Sequence, residues 1–174
     1  MANWNTIIRH YERHHRPHSE AEMLWFRRQP SFEQVLYTAA NARNENGKRY
    51  SHQYRIKKEA LKEVAAKLLE VSQQLKECTS FHQIWLLLDR LLSTIPGIGE
   101  LYVYDTAFRI GAHKGLLPER VYIHAGTRSG AAAFGIIASQ SDWIEIDELP
   151  LELQTVPPHE VEDILCIYKD KSFV

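Results

Sequence analysis

The sequence predicts a mostly α-helical chain, a single-domain helical bundle, and three observations carry that expectation. Apolar residues recur at helical spacing, as in Leu61, Val64, Ala65 and Leu68 and again in Phe81, Ile84, Trp85, Leu88, Leu91, Leu92 and Ile95. Pro and Gly fall mainly at the joints between such stretches, where they mark turns. A length of 174 residues with 44% hydrophobic content is enough for one substantial core and short for two.

In chain order, residues 4–15 are the first helical segment, expected to end near Pro17 because proline disfavours helical geometry in the residue before it. Its apolar content is thin, so residues 1–18 read as a basic, His-rich arm and a candidate for flexibility. A second segment, 20–28, stops before Pro30, and Ser31 can cap a third that runs through "FEQVLYTAANAR" to the Asn46-Gly47 turn. Residues 56–77 give the strongest amphipathic pattern, with Lys57, Lys58, Lys62, Glu63 and Lys67 off the apolar face. Thr79 or Ser80 caps the next helix, whose apolar stripe is wide enough to require burial. Beyond Pro96–Gly99, residues 100–113 form another helix. Val121 to Ile123 reads as a short strand or a turn of helix, and Ser129 to Ile137 as a tightly packed small-residue helix. The final helix carries Pro158 in its first turn and turns Val161, Ile164, Leu165 and Tyr168 inward.

Composition narrows the function classes. Four tryptophans and a 25% charged fraction argue against a disordered chain. The amino terminus lacks the apolar run of a signal peptide, and "IWLLLDRLL" is broken by Asp89 and Arg90, so a cytoplasmic protein with no membrane segment is expected. Cys78 and Cys166 are too few for a disulfide framework or a cysteine zinc site and read as reduced thiols. No phosphate-binding P-loop, dinucleotide fingerprint or nucleophile elbow is present, so no cofactor is expected. His10 and His14 lie one turn apart without the carboxylate of a metalloprotease, and no metal is assigned. Charge is uneven: residues 1–140 hold 19 basic and 13 acidic groups, residues 141–174 hold 2 and 9. A mildly basic body can meet a polyanion through a local patch, and the acidic segment 141–174 could dock on a basic protein partner or fold back over the body.

The stretch "STIPGIGELYVYDTAFRIGAHKG" places Pro96, Gly97 and Gly99 between two apolar helices. Two readings stand: a tight corner between packed helices, or a backbone cradle for a phosphate, since first-turn amides are unpaired and glycine lets an anion approach. Leu91, Leu92, Ile95, Pro96, Gly97, Ile98, Gly99, Ala107 and Ile110 together resemble the helix-hairpin-helix motif of DNA-repair and DNA-processing proteins. Over residues 91–113, that resemblance implies a Gly-rich hairpin whose amides hold a DNA phosphate, with DNA favoured over RNA.

Three further clusters bear chemistry. Asp105, Arg109 and His113 fall at i, i+4 and i+8, an acid, a guanidinium and an imidazole along one helix face, either a site or a solvated face with an ion pair. In "VYIHAGTRSG", His124 adjoins Thr127, Arg128 and Ser129, a hydroxyl-rich loop suited to an anion or simply a helix cap. "GKRYSHQYRIKK" interleaves Lys48, Arg49, Arg55, Lys57 and Lys58 with Tyr50, His52 and Tyr54, as suits phosphate contact and base stacking, or a solvated linker. The expected function is therefore binding of nucleic acid or another phosphate-bearing ligand by Gly97, Gly99, Arg109, Lys48, Arg49, Tyr54, Arg55, Thr127, Arg128 and Ser129. An enzymatic alternative, a nuclease or glycosylase activity, would use Asp105, His113 or His124. The spacing Arg9 to His14, repeated at Arg13 to His18, also resembles the Arg-four-residues-His signature of HEPN ribonucleases. A non-catalytic interaction subunit is the third class.

Overall fold

In the computed structural model the described residues are 3–170, and the chain is mostly helical, with nine α-helices and one two-stranded sheet among them. Residues 1 and 2 of the expected arm and 171–174 of the acidic segment lie outside the described residues. Within this mostly helical chain the contacts gather into two compact units: Ala21–Leu117, and the chain up to Glu20 together with the chain from Pro118 onward. None of the described helices is long and apolar enough to cross a membrane.

The unit Ala21–Leu117 contains most of α2 (Arg16–Arg27), then α3 (Phe32–Ala40), α4 (Lys58–Glu70), α5 (Ser72–Glu77), α6 (Phe81–Leu92) and α7 (Glu100–Lys114). Helix α2 starts four residues before the expected Glu20. Pro17 is tolerated there because it occupies the second helical position, where no intrahelical amide donor is needed. Ser31 caps α3 by accepting from the Gln34 amide at 3.1 Å, and Ser80 caps α6 by accepting from Gln83 at 3.2 Å. The amphipathic segment 56–77 is two helices, parted at Val71, a β-branched residue followed by Ser72, both weak helix formers. Helix α3 ends at Ala40; Ala42 then adopts φ +50°, and a hairpin bridging Arg43 to Arg49 turns through Gly47 at φ +70°. Helices α6 and α7 pack together, and α3 packs on α4 and α7. Leu36, Leu61, Leu68, Leu75, Ile84, Leu88, Leu92, Ala107 and Ile110 are buried in this unit.

The other unit holds α1 (Trp4–His14), β1 (Val121–Tyr122), α8 (Ala125–Phe134), β2 (Trp143–Ile144) and α9 (Pro158–Ile167). The strands pair antiparallel, Val121 with Ile144 and Tyr122 with Trp143. Within the expected arm, α1 is packed: Trp4, Ile7 and Tyr11 join a core with Val121, Ile144, Leu153, Val161, Ile164, Leu165 and Tyr168. Polar ties reinforce that packing. Tyr11 donates its hydroxyl to Asp163 at 2.6 Å, and Arg16 grips Glu160 with two parallel bonds of 3.0 and 2.6 Å. Helix α8 begins earlier than Ser129 because His124 caps it, Nδ1 accepting from the Gly126 amide at 3.2 Å. The segment 126–130, expected as a loop, is therefore helical. Gly130 sits against α9 so closely that a Cβ there would lie 1.9 Å from the Leu165 carbonyl oxygen.

Candidate nucleic-acid interface

The Pro-Gly corner is built by burying its two isoleucines. Ile95 and Ile98 anchor it in the core, leaving Pro96, Gly97 and Gly99 exposed between them. Gly97 takes φ +88°, a left-handed conformation that glycine adopts without strain, and a Cβ at Gly97 or Gly99 would meet nothing within 4 Å. Gly99 is the N-cap of α7, no side chain caps it, and Glu100 occupies the first turn. The outer face of the corner is thus open backbone.

A pocket of about 370 Å³ lies against that face, lined by Pro96, Gly97, Arg55, Ile56 and Lys57. A second, of about 240 Å³, is lined by Asn41, Arg43, Arg49, Lys58, Leu61 and Lys62. The consecutive residues Lys57 and Lys58 line one pocket each. From residue 43 to 62 there are seven basic and two acidic residues, and this local excess rather than the overall charge sets the field here. Arg49 organises the approach: its Nη1 donates to the carbonyls of Tyr54 and Ile56 at 3.2 and 3.0 Å, fixing the loop that carries Arg55. Tyr54 is 61% exposed, with the Arg55 guanidinium 5.6 Å from its ring centre. Lys48 is exposed on the hairpin.

The face of α7 that carries Asp105, Arg109 and His113 turns inward. Arg109 is 2% exposed; it donates to Glu22 at 3.3 Å and Gln53 at 3.2 Å, lies 3.7 Å from Asp105, and stacks 4.2 Å from the Tyr50 ring centre. Burial pulls its pKa down, and the neighbouring carboxylates of Asp105 and Glu22 more than offset that, so the net shift is upward. Asp105 also accepts from Gln53 at 2.6 Å and lies 2.8 Å from His52 Nε2. His113 donates Nδ1–H to the Phe26 carbonyl at 3.0 Å. Asp105 and Arg109 thus pin the loop 50–53 to α7, and Arg109 does not line the basic pockets.

His124, Thr127, Arg128 and Ser129 belong to the other unit. His124 is 1% exposed and contacts Glu162, while the buried Thr127 hydroxyl donates to Glu162 at 2.9 Å. Ser129 returns its hydroxyl to the Ala125 carbonyl, and Arg128 is exposed on α8. Five carboxylates of the acidic segment have partners inside the same unit: Glu145 with Arg120 and Trp143, Glu148 with the Ser139 amide, Glu160 with Arg16, Glu162 with Thr127, and Asp163 with Tyr11. The ribonuclease-like pairs are surface residues, Arg9, Arg13, His14 and His18 all being exposed.

Sequence reading left Arg43 and Lys62 out of the patch. Arg43 faces Arg49 across the hairpin, and Lys62 stands one helical turn beyond Lys58, spacings that a hairpin register and a helix face make meaningful. Glu162 and Cys166 were also missed beside His124, because a separation of 38 positions between His124 and Glu162 hides the proximity. Compared with models of protein families, with curated proteins and with solved structures, the chain matches none of them.

Proposed function

We propose that this chain binds a nucleic-acid backbone, DNA in the first instance, along the paired basic pockets of the unit Ala21–Leu117. The observation that carries the reading is the shared lining of one pocket: Gly97 and Pro96 from the corner stand with Arg55 and Lys57 from the basic-aromatic segment. Two clusters separated by some forty residues of sequence supply open backbone and cations to one place. One phosphate would sit between the Gly97–Gly99 backbone and Arg55 or Lys57, and a neighbouring phosphate would meet Arg43, Arg49, Lys58 and Lys62. The exposed Tyr54 ring offers a stacking surface for a base. Glu100 limits affinity by placing a carboxylate near the same amides.

Anisotropy titrations of labelled duplex DNA, single-stranded DNA and RNA against the full chain, at several salt concentrations, test this. The expected slope of log K against log salt is about −0.9 per phosphate neutralised on duplex DNA. Arg55→Ala and Lys57→Ala should each weaken binding on every sequence and reduce that slope by about one. Both residues are exposed, so unfolding midpoints should stay where they are. A flat salt response, or binding untouched by the double variant, overturns the reading.

A further inference from the structure

Away from the basic pockets, His124, Glu162 and Cys166 bring a nitrogen, a carboxylate oxygen and a sulfur within 4.8 Å of one another. Glu162 and Cys166 are one turn apart on α9, and His124 enters from the two-residue link between β1 and α8. His124 and Glu162 are buried, at 1% and 5% exposure, while Cys166 is half-buried and opens the cluster toward solvent. We propose that these three side chains form a binding site for one divalent transition-metal ion of the zinc type, with a fourth coordination position left open.

Donor chemistry supports this choice. Imidazole, carboxylate and thiolate are the three zinc ligand classes, and a three-ligand set with an open position is the pattern of reactive rather than purely structural zinc sites. Magnesium and calcium, which take all-oxygen shells, do not suit a sulfur ligand. At ordinary zinc bond lengths, the ligand atoms of a tetrahedral site stand roughly 3.3–3.7 Å apart, so the widest separation closes by up to about 1 Å while the hydrogen-bonded His124 and Glu162 atoms move apart to admit the ion.

Two features of the surroundings point the same way. A Cβ at position 126 would lie 2.7 Å from Cys166 Sγ and 3.1 Å from the His124 ring, so Gly126 leaves the space in which those two ligands approach each other. Thr127 donates to Glu162 Oε1 at 2.9 Å, an outer-shell bond that orients a ligand carboxylate. Binding releases the Cys166 thiol proton to solvent. It also moves the His124 ring proton from Nε2 to Nδ1 if Nε2 is the ligand, which sacrifices the 3.2 Å bond from the Gly126 amide.

Untagged full-length protein stripped by a chelator and titrated with Co²⁺ provides the test. The expected result is one ion per chain, with a thiolate-to-cobalt charge-transfer band and the intense visible bands of a tetrahedral site, both displaced by Zn²⁺. Cys166→Ser, a near-isosteric change at a half-buried position, should abolish the charge-transfer band, whereas Cys78→Ser should leave it intact. Thr127→Val should weaken Zn²⁺ binding by about 10- to 100-fold without shifting the band. Absence of the band in folded wild-type protein overturns the proposal, and so does a band that survives Cys166→Ser or vanishes in Cys78→Ser. Neither outcome bears on the salt-dependent nucleic-acid titrations, so the two readings stand or fall separately.

Discussion

Arg109 decides how the α7 cluster is understood at the level of single residues. The i, i+4 pairing with Asp105 was legible in the sequence; the direction in which that face points was not, because its partners Glu22, Tyr50 and Gln53 lie 56 or more residues away in the chain. A guanidinium at 2% exposure is stabilised only while its partners remain, since a buried charge without them keeps its desolvation cost. Arg109→Met removes the cation that Glu22 and Asp105 share, while Asp105 keeps Gln53 and His52 and both carboxylates keep some solvent, so it should cost about 1–3 kcal/mol in denaturant unfolding. The comparison with Arg55 is diagnostic. Arg55→Ala is expected to remove affinity at constant stability; Arg109→Met is expected to remove stability first, and a normal unfolding midpoint in that variant would return Arg109 to the ligand side of the account.

At the scale of elements, what the sequence disclosed was what local chemistry controls. Ser31 and Ser80 announce helix starts because a hydroxyl can satisfy an orphan amide, and both caps are made. The Pro96–Gly99 bend and the inward residues of α9 were legible for similar reasons of turn geometry and periodicity. The break at Val71 was hidden, since the apolar spacing on either side of it continues without a proline or glycine to mark the change. The early start of α8 was hidden because its cap is an imidazole rather than a hydroxyl or carboxamide. Gly130 makes the packing of α8 on α9 testable. In an isolated helix Gly→Ala gains about 1 kcal/mol, yet here the new methyl would sit 1.9 Å from a backbone oxygen that cannot rotate away. The clash dominates, and Gly130→Ala should lower stability by at least the 1–3 kcal/mol typical of overpacking, read as a fall in thermal midpoint. An unchanged or raised midpoint would mean that α8 and α9 are not held this closely.

Over the whole molecule, a formal charge of −1 conceals two opposite balances. The unit Ala21–Leu117 carries 14 basic and 10 acidic residues, and the remaining chain 7 and 12. The basic excess lies where the pockets are, while much of the acidic excess is engaged in internal bonds, which is why segment charge alone said little about a protein partner. A buried imidazole in the same unit makes stability depend on pH. His159 is buried on α9, and burial, reinforced by the Arg16 cation, brings its imidazole down to about 4 from an ordinary 6.5. As pH falls through 6.5, the unfolded chain takes up a proton that the folded chain refuses until about pH 4. More protons are then bound by the unfolded state, and folding stability drops. The shift corresponds to about 3 kcal/mol, fully present at neutral pH and gone below pH 4. His15, lowered chiefly by burial and then by His10 and His14, adds a loss of the same sign, so the wild type must be compared with His159→Asn. Between pH 6.5 and about 5 the denaturation midpoint of the wild type should fall more steeply than that of the variant. Parallel pH profiles for the two proteins would show that His159 titrates as it does in water.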